Sequence, residues 1–323
     1  MNELKGKRIV ITGGAGFIGS NLARALSAHN NQVIVIDDLS SGKYHNIKDL
    51  IETKTIAFIQ GSVTDYALLR KVLSDDIDAV FHLAAIASVP QSIHNPLTTN
   101  KVNVTGTLNV LQASKENAIK KMIFSSSCAV YGNPSGGNLP LKESAPVHPV
   151  SPYATSKLVG EQYCSLYNTL YNLQTTCLRY FNVYGPHQNP SSEYAAVIPK
   201  FMHNMLQDRP LVIYGTGEQT RDFIFVSDVV DANILAANHN VTGIFNIGSG
   251  EQVSIANLAH LIMKAGNAQA KLAYTDKQHG DIQSSQADIS RAQEKLHFQP
   301  RINLSKGLAE TMTWLQQPQV ATK

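Results

Sequence analysis

The stretch Gly13-Gly14-Ala15-Gly16-Phe17-Ile18-Gly19 constrains the fold of this chain more than any other. It follows directly on Arg8–Thr12 (RIVIT), whose β-branched residues read as a buried strand. It leads into Phe17–His29, where Leu22, Ala25 and Leu26 recur at helical spacing. A strand, a glycine turn and a helix in that order form a GxxGxxG variant of the dinucleotide fingerprint. Gly13, Gly16 and Gly19 permit a tight turn and let backbone N–H groups approach a pyrophosphate. Phe17 and Ile18 open the helix, whose N-terminus faces the phosphate charge. Asp37 ends the next strand, Gln32–Ile36 (QVIVI), 18 residues after Gly19. A carboxylate there accepts the adenosine ribose hydroxyls and repels a 2′-phosphate, which favours NAD over NADP. The competing reading of Asp37 is a turn residue beside Asp38.

The alternation continues. Strands are predicted at Ile56–Gln60, Ala79–Leu83, Lys121–Ser125 and Thr175–Tyr180, and helices at Tyr66–Leu73, Thr98–Asn117 and Tyr153–Tyr171. Strands separated by helices require crossover connections, so the expectation is an α/β fold: a doubly wound parallel sheet of Rossmann type with a smaller C-terminal substrate-binding domain. Residues 1–180 are expected to form the NAD-binding domain. Residues 181–323 mainly form the substrate domain, with about 220–250 returning to the first. The 323 residues, 43% hydrophobic and 16% charged, suit a globular chain of this size. A formal charge of +3 without runs of Lys or Arg gives no nucleic-acid or membrane footprint. Cys128, Cys164 and Cys177 fit neither a zinc site nor a disulfide framework, and the histidines show no metal-ligand spacing. With no apolar leader at the N-terminus, a cytoplasmic location is the expectation.

Tyr153 and Lys157 form a YxxxK pair within one predicted helix, and four residues is just over one turn, so both side chains share a face. A free tyrosine with a pKa of about 10 is only about 0.1% phenolate at neutral pH. A nearby ammonium and an oxidised nicotinamide both favour the phenolate, and lowering the pKa by about three units corresponds to roughly 4 kcal/mol. The pair is a candidate general base with its tuning cation. Ser125-Ser126-Ser127 end the fifth predicted strand, where doubly wound sheets open their crevice. Ser127 is the candidate to hold a substrate oxygen; Ser125 and Ser126 read equally well as turn residues.

Taken together, GGAGFIGSN, HLAA (His82–Ala85), SSSCAVYG (Ser125–Gly132), SPYATSK (Ser151–Lys157), LRYFNVYG (Leu178–Gly185) and RDFIFVSDV (Arg221–Val229) resemble the extended short-chain dehydrogenase/reductase family over essentially the whole chain. Within it they look most like the UDP-glucose and UDP-N-acetylglucosamine 4-epimerases. SVPQSI (Ser88–Ile93) and YAAVIPK (Tyr194–Lys200) are most similar to the branch acting on N-acetylated sugars. The resemblance implies catalysis by Ser127, Tyr153 and Lys157 with bound NAD, and NAD contacts at Ser62 and Val63. It implies a UDP-sugar site that includes Ser88, Ser92, Asn182, the backbone at Ala196 and Val197, Tyr214, Arg221 and Ser285, and a homodimer paired through two long helices.

Related dehydratases resemble TDEVYG where this chain has Ser127-Cys128-Ala129-Val130-Tyr131-Gly132, and decarboxylating relatives place a glutamate at the Ala129 position. Neither carboxylate is present, so oxidation followed by reduction remains. Asn182 reads alternatively as a turn-forming amide, and Arg221 as an ion-pair partner of Asp222 or Asp228. Two departures stand out. Gln278 replaces the arginine usual in the family, with Lys277 or His279 as substitutes, and Gly61-Ser62 replaces Gly-Asp. Ser285, where enzymes confined to non-acetylated sugars tend to carry tyrosine, leaves room for a 2-acetamido group, or is merely a loop hydroxyl. The alternatives are a UDP-glucuronate 4-epimerase, an NAD-dependent sugar-nucleotide dehydrogenase or reductase and, outside enzymes, an NAD-sensing regulatory protein.

Overall fold

The computed structural model describes residues 4–74, 76–133, 139–190, 196–277 and 282–317. Its centre is a seven-stranded sheet of β1 (Arg8–Thr12), β2 (Gln32–Asp37), β3 (Ile56–Gln60), β4 (Ala79–His82), β5 (Lys121–Ser127), β6 (Gln174–Tyr180) and β7 (Gly243–Ile247). All neighbours are parallel, in the order β7-β6-β5-β4-β1-β2-β3. The chain runs outwards from β1 to β3, returns to lay β4 against the other side of β1, and runs outwards again. That reversal opens a crevice at the carboxyl ends of β1 and β4.

The strands are apolar runs because helices cover both faces of the sheet. Ile9 and Ile11 pack with Leu22 and Leu26 of helix Phe17–Ser27 on one side, whereas Val10 packs with Val110 and Leu111 of helix Gly106–Glu116 on the other. Successive strand residues point to opposite faces, which divides them this way. All of these side chains are essentially fully buried, each worth roughly 1.5–3 kcal/mol relative to exposure.

Two differences from the predicted elements bear on the site. β5 extends two residues beyond its apolar stretch because ladder pairing with β6 continues through Ser126↔Arg179 and Ser127↔Tyr180. The helix predicted over 98–117 begins at Pro96 and contains a wide π-type turn at Lys101–Thr105 before running regularly to Glu116. Asn103 lies on that turn. Its amide accepts the Ile86 N–H at 2.8 Å, donates to the Ile86 carbonyl at 3.0 Å and reaches Ser156 at 3.0 Å.

Beyond β6 the described residues form three short two-stranded sheets: Asn182–Tyr184 with Phe223–Phe225, Thr220–Arg221 with Val253–Ser254, and Leu211–Tyr214 with Leu272–Thr275. Helices Val197–Leu206, Ile255–Ala265 and Leu304–Gln316 complete a second apolar core around Phe201, Met202, Leu258 and Leu308. Between these pieces, helix Val226–Asn238 packs on helix Phe17–Ser27, and Gly243–Ile247 joins β6 as the seventh strand.

Candidate active site

A cavity of about 1230 Å³ runs from the glycine turn past the ends of β2, β4 and β5 to the edge of the second core. Single small-ligand pockets measure about 300–1,000 Å³, so this one has room for a dinucleotide and a second ligand. Gly13 has φ +74°, and a Cβ there would stand 2.6 Å from the Ala84 backbone nitrogen. A Cβ at Gly19 would lie 2.2 Å from the Gly13 carbonyl oxygen. Turn, helix and β4 therefore meet at a distance only glycine allows. Gly16 caps helix Phe17–Ser27 without a side-chain hydrogen bond, so the first N–H groups face the cavity as an anion site. Asp37 accepts the Ala15 N–H and the Leu39 N–H, both at 2.9 Å. Burial raises its pKa above the usual carboxylate value, with the two N–H bonds opposing. Gly13, Gly16, Phe17, Ile18, Gly19, Asp37, Ser62 and Val63 all line the cavity. The cradle fits NAD.

Ser151 accepts the Ala154 N–H at 3.1 Å and, with Pro152 in the first turn, starts helix Pro152–Tyr171. Tyr153 and Lys157 face the cavity from this helix, and Ser127 faces it from the end of β5. The Ser127 hydroxyl lies near the Tyr153 phenol, where it favours the phenolate, and it accepts the Ala129 N–H at 3.1 Å. Lys157 donates to the Ser125 carbonyl at 2.7 Å. Its ammonium lies 5.9 Å from the Tyr153 ring centroid.

The depressed phenol pKa expected from the YxxxK spacing is not what the protein alone produces. Burial pushes Tyr153 up to about 12, with the Ser127 hydrogen bond opposing it. Burial also brings Lys157 down to about 8. The lysine is directed at a backbone carbonyl rather than at the phenol oxygen, so desolvation outweighs its charge. Cys128 lines the cavity too, and burial pushes its thiol up to about 12.

At the far end, Asn182, Ala196, Val197, Tyr214 and Arg221 line the same cavity. The Asn182 amide donates to the Asp222 carbonyl at 2.9 Å. Asp222 accepts from Ser249, Gly250 and Ala287, and Asp228 accepts the Arg301 and Ile302 N–H groups, so both carboxylates suggested for Arg221 are engaged by other donors. Three expected substrate contacts lie off the lining. Ser88 caps helix Val89–His94 by accepting the Gln91 N–H at 3.1 Å. Ser92 is fully buried, accepting the Tyr153 N–H at 3.1 Å and donating to the Val89 carbonyl at 2.6 Å, so it locates the start of helix Pro152–Tyr171. Ser285 is buried, and its hydroxyl has no hydrogen-bond partner among the described residues. Gln278 and His279 lie outside the described residues. Lys277 is exposed and off the lining, whereas Lys200 is on it, with its ammonium 5.9 Å from the Tyr214 ring centroid.

His82 is structural, as its place at the end of the fourth strand implies: Nδ1 pairs with Thr12 at 2.7 Å and Nε2 with Thr107 at 2.9 Å. Sequence reasoning missed Lys43, His187, Lys200 and Trp314 on the lining, and Asn103 behind it. Only Asn103 carried a signal, an amide in the middle of a helix.

The model of the NAD dependent epimerase/dehydratase family matches residues 9–248. The UDP-N-acetylglucosamine 4-epimerase of Methanobrevibacter ruminantium M1, solved with UDP-N-acetylmuramic acid, superposes with a TM-score of 0.92 at 44% identity, covering 96% of this chain and 98% of that one. The UDP-glucuronic acid 4-epimerase of Bacillus cereus, solved with UDP-glucuronic acid and NAD, gives a TM-score of 0.87 at 33% identity, covering 96% and 99%. The UDP-glucose 4-epimerase of Mycolicibacterium smegmatis is 36% identical over 311 residues, 96% of this chain and 98% of the relative. The chain belongs to the NAD dependent epimerase/dehydratase family and is an NAD-dependent isomerase within it.

Proposed function

We propose that the protein inverts C4 of UDP-hexoses, interconverting UDP-GlcNAc with UDP-GalNAc and UDP-Glc with UDP-Gal through a 4-keto sugar. The observation that carries this reading is the chemistry beside Ser127. Cys128 and Ala129 follow it into the cavity lining, and neither supplies the carboxylate that elimination or decarboxylation would require. Likeness to 4-epimerases over nearly the full chain supports it.

Bound NAD supplies a hydride acceptor and donor, and its oxidised ring supplies the positive charge that counters the burial-raised Tyr153 pKa. Tyr153 takes the C4 hydroxyl proton and returns it, Ser127 holds the same oxygen, and Lys157 binds the nicotinamide ribose. Asn182 and Arg221 hold the diphosphate, and the backbone at Ala196 and Val197, with Tyr214, holds the uracil. On this reading residues 181–323 are mainly the UDP-sugar domain, with about 220–250 belonging to the NAD domain. Exposed Ile93, Leu97, Leu166 and Leu170 on the packed helices Val89–His94, Pro96–Asn100 and Pro152–Tyr171 suit a homodimer. Among the described residues no helix is long and apolar enough to cross a membrane, and the three cysteines are free thiols; we place the enzyme in the cytoplasm.

The test is to incubate purified protein, without added nicotinamide, separately with UDP-GlcNAc, UDP-Glc and UDP-GlcA, and to resolve the products. Epimer mixtures from the first two with no net NADH are expected. Net NADH formation would replace this reading with a dehydrogenase, and turnover of UDP-GlcA alone would replace it with a uronate epimerase.

A further inference from the structure

Glu161 is a buried carboxylate on the catalytic helix that the chemistry above does not use. It follows Tyr153 and Lys157 at the same four-residue spacing, so all three project from neighbouring positions on one face of helix Pro152–Tyr171. Its side chain is 2% exposed, and that of Arg179 on β6 is 3% exposed. The two form a bidentate pair, Arg179 Nε to Oε1 at 2.8 Å and Nη2 to Oε2 at 2.7 Å. Ser126 donates to Oε1 at 2.5 Å. On either side of it, the Ser125 carbonyl accepts from Lys157 and the Ser127 hydroxyl lies near Tyr153. Three consecutive residues of β5 thus each face one of three residues on the helix, two of them through hydrogen bonds. Stability alone gives no reason for such a pair, since apolar side chains of similar volume do as well in its place. A planar fork on a carboxylate does fix direction, and it holds the helix along its own axis.

We propose that Glu161 is a positioning residue of the reaction: clamped by Arg179 and Ser126, it sets the register of Tyr153 and Lys157 on β5 and places a negative charge one turn below the Lys157 ammonium. The proposal rests on the 4-epimerase reading. Lys157 is faced by Tyr153, Glu161 and Cys164 from its own helix, by His82 from β4, and by the Phe124 ring and Ser125 carbonyl from β5. Glu161 is faced by Lys157 on its own helix, Arg179 and Cys177 on β6, and Ser126 on β5. Arg179 in turn meets the Tyr131 ring and the Glu143 carbonyl. Burial works to strip the proton from Lys157, and Cys164 together with the Glu161 charge works to keep it. Removing that charge lets Lys157 deprotonate at lower pH.

The experiment measures kcat and KM on the UDP-sugars from about pH 6 to pH 10 for wild type, Glu161→Gln, Glu161→Asp and Ser126→Ala, each with its bound NAD quantified. For Glu161→Gln, kcat is expected to fall roughly tenfold to hundredfold with little change in KM. The alkaline limb of its kcat profile should move down by about half a pH unit or more. Glu161→Asp should restore the limb. Ser126→Ala keeps the ion pair, and should lower kcat by about threefold with the limb in place. Wild-type kcat and limb in Glu161→Gln overturn the proposal, as does a loss that follows NAD content alone with an unmoved limb. If Glu161→Gln does not fold, wild-type kcat in Ser126→Ala overturns it. No turnover by the wild type on any UDP-sugar overturns the functional reading and this proposal with it, whereas an active wild type indifferent to these variants overturns this proposal alone.

Discussion

His82 stands fully buried between Thr12 and Thr107, hydrogen-bonded at both ring nitrogens. Burial, with a smaller contribution from the Lys157 charge, lowers its pKa from 6.5 to about 3. The unfolded chain therefore takes up a proton that the folded protein refuses. The stabilisation is complete above the unfolded value and is lost as pH falls towards about 3, at roughly 1.4 kcal/mol per pH unit. Chemical denaturation at pH 7 and pH 5 should show wild type losing more stability than His82→Gln over that interval; equal losses would mean that the imidazole protonates in the folded state. Ser285 is the residue at which sugar choice is expected to reside. It is buried beside Gln286, whose carbonyl accepts the Leu141 N–H at 2.8 Å, so a tyrosine there has little room to swing outwards. Ser285→Tyr should lower kcat/KM for UDP-GlcNAc well over tenfold more than for UDP-Glc, because the acetamido group and the phenol compete for volume. Product ratios from parallel assays read this directly, and equal losses on both sugars would remove Ser285 from the specificity argument. At this scale the motifs made Tyr153, Lys157, Ser127 and Asp37 visible, since their spacing is local. The motifs did not reveal that Ser92 supports the Tyr153 backbone, because that bond joins residues 61 apart in sequence.

The elements position the site through close approaches that only small residues permit. The Gly13 turn joins β1 to its helix with φ +74° and the backbone of Leu83 and Ala84 packed against it. Gly13→Ala adds a Cβ both to a left-handed conformation and to space held by backbone, which cannot yield as a side chain can. The variant should purify with less than about a tenth of the NAD of wild type, assayed enzymatically after denaturation; full loading would show that the turn tolerates the methyl group. The same close packing recurs at Gly160, where a Cβ would stand 2.4 Å from the Phe124 ring, keeping helix Pro152–Tyr171 tight on β5. Strand and helix positions were legible because apolar periods of two and 3.6 residues are written in the chain. The wide turn at Lys101–Thr105 was not. Its one signal is the mid-helix amide of Asn103, and what holds the turn is that amide reaching Ile86, 17 residues away.

For the whole molecule, helices Val89–His94, Pro96–Asn100 and Pro152–Tyr171 pack on one another and leave Leu97 85% and Leu170 64% exposed, each four residues after another exposed apolar residue, Ile93 and Leu166. Exposed large apolar side chains grouped on packed helices are ordinarily covered. Leu97→Glu combined with Leu170→Glu should convert a dimer into monomers in sedimentation velocity; a wild type that is monomeric at all concentrations would place this face elsewhere in the protein's biology. The fold class, the parallel sheet and the dinucleotide turn followed from the chain itself, because each depends on contacts between residues near one another in sequence or on a hydrophobic repeat. What the tertiary structure alone decided is everything that spans the crevice. It brought Asn182, Tyr214 and Arg221 to the cavity that holds Tyr153, added Lys200 and Trp314, and left Ser88, Ser92 and Ser285 off its wall. It also set the direction of the Tyr153 shift. A pKa reflects how much water burial removes as well as which charge is near, and burial is the outcome of packing distant segments together.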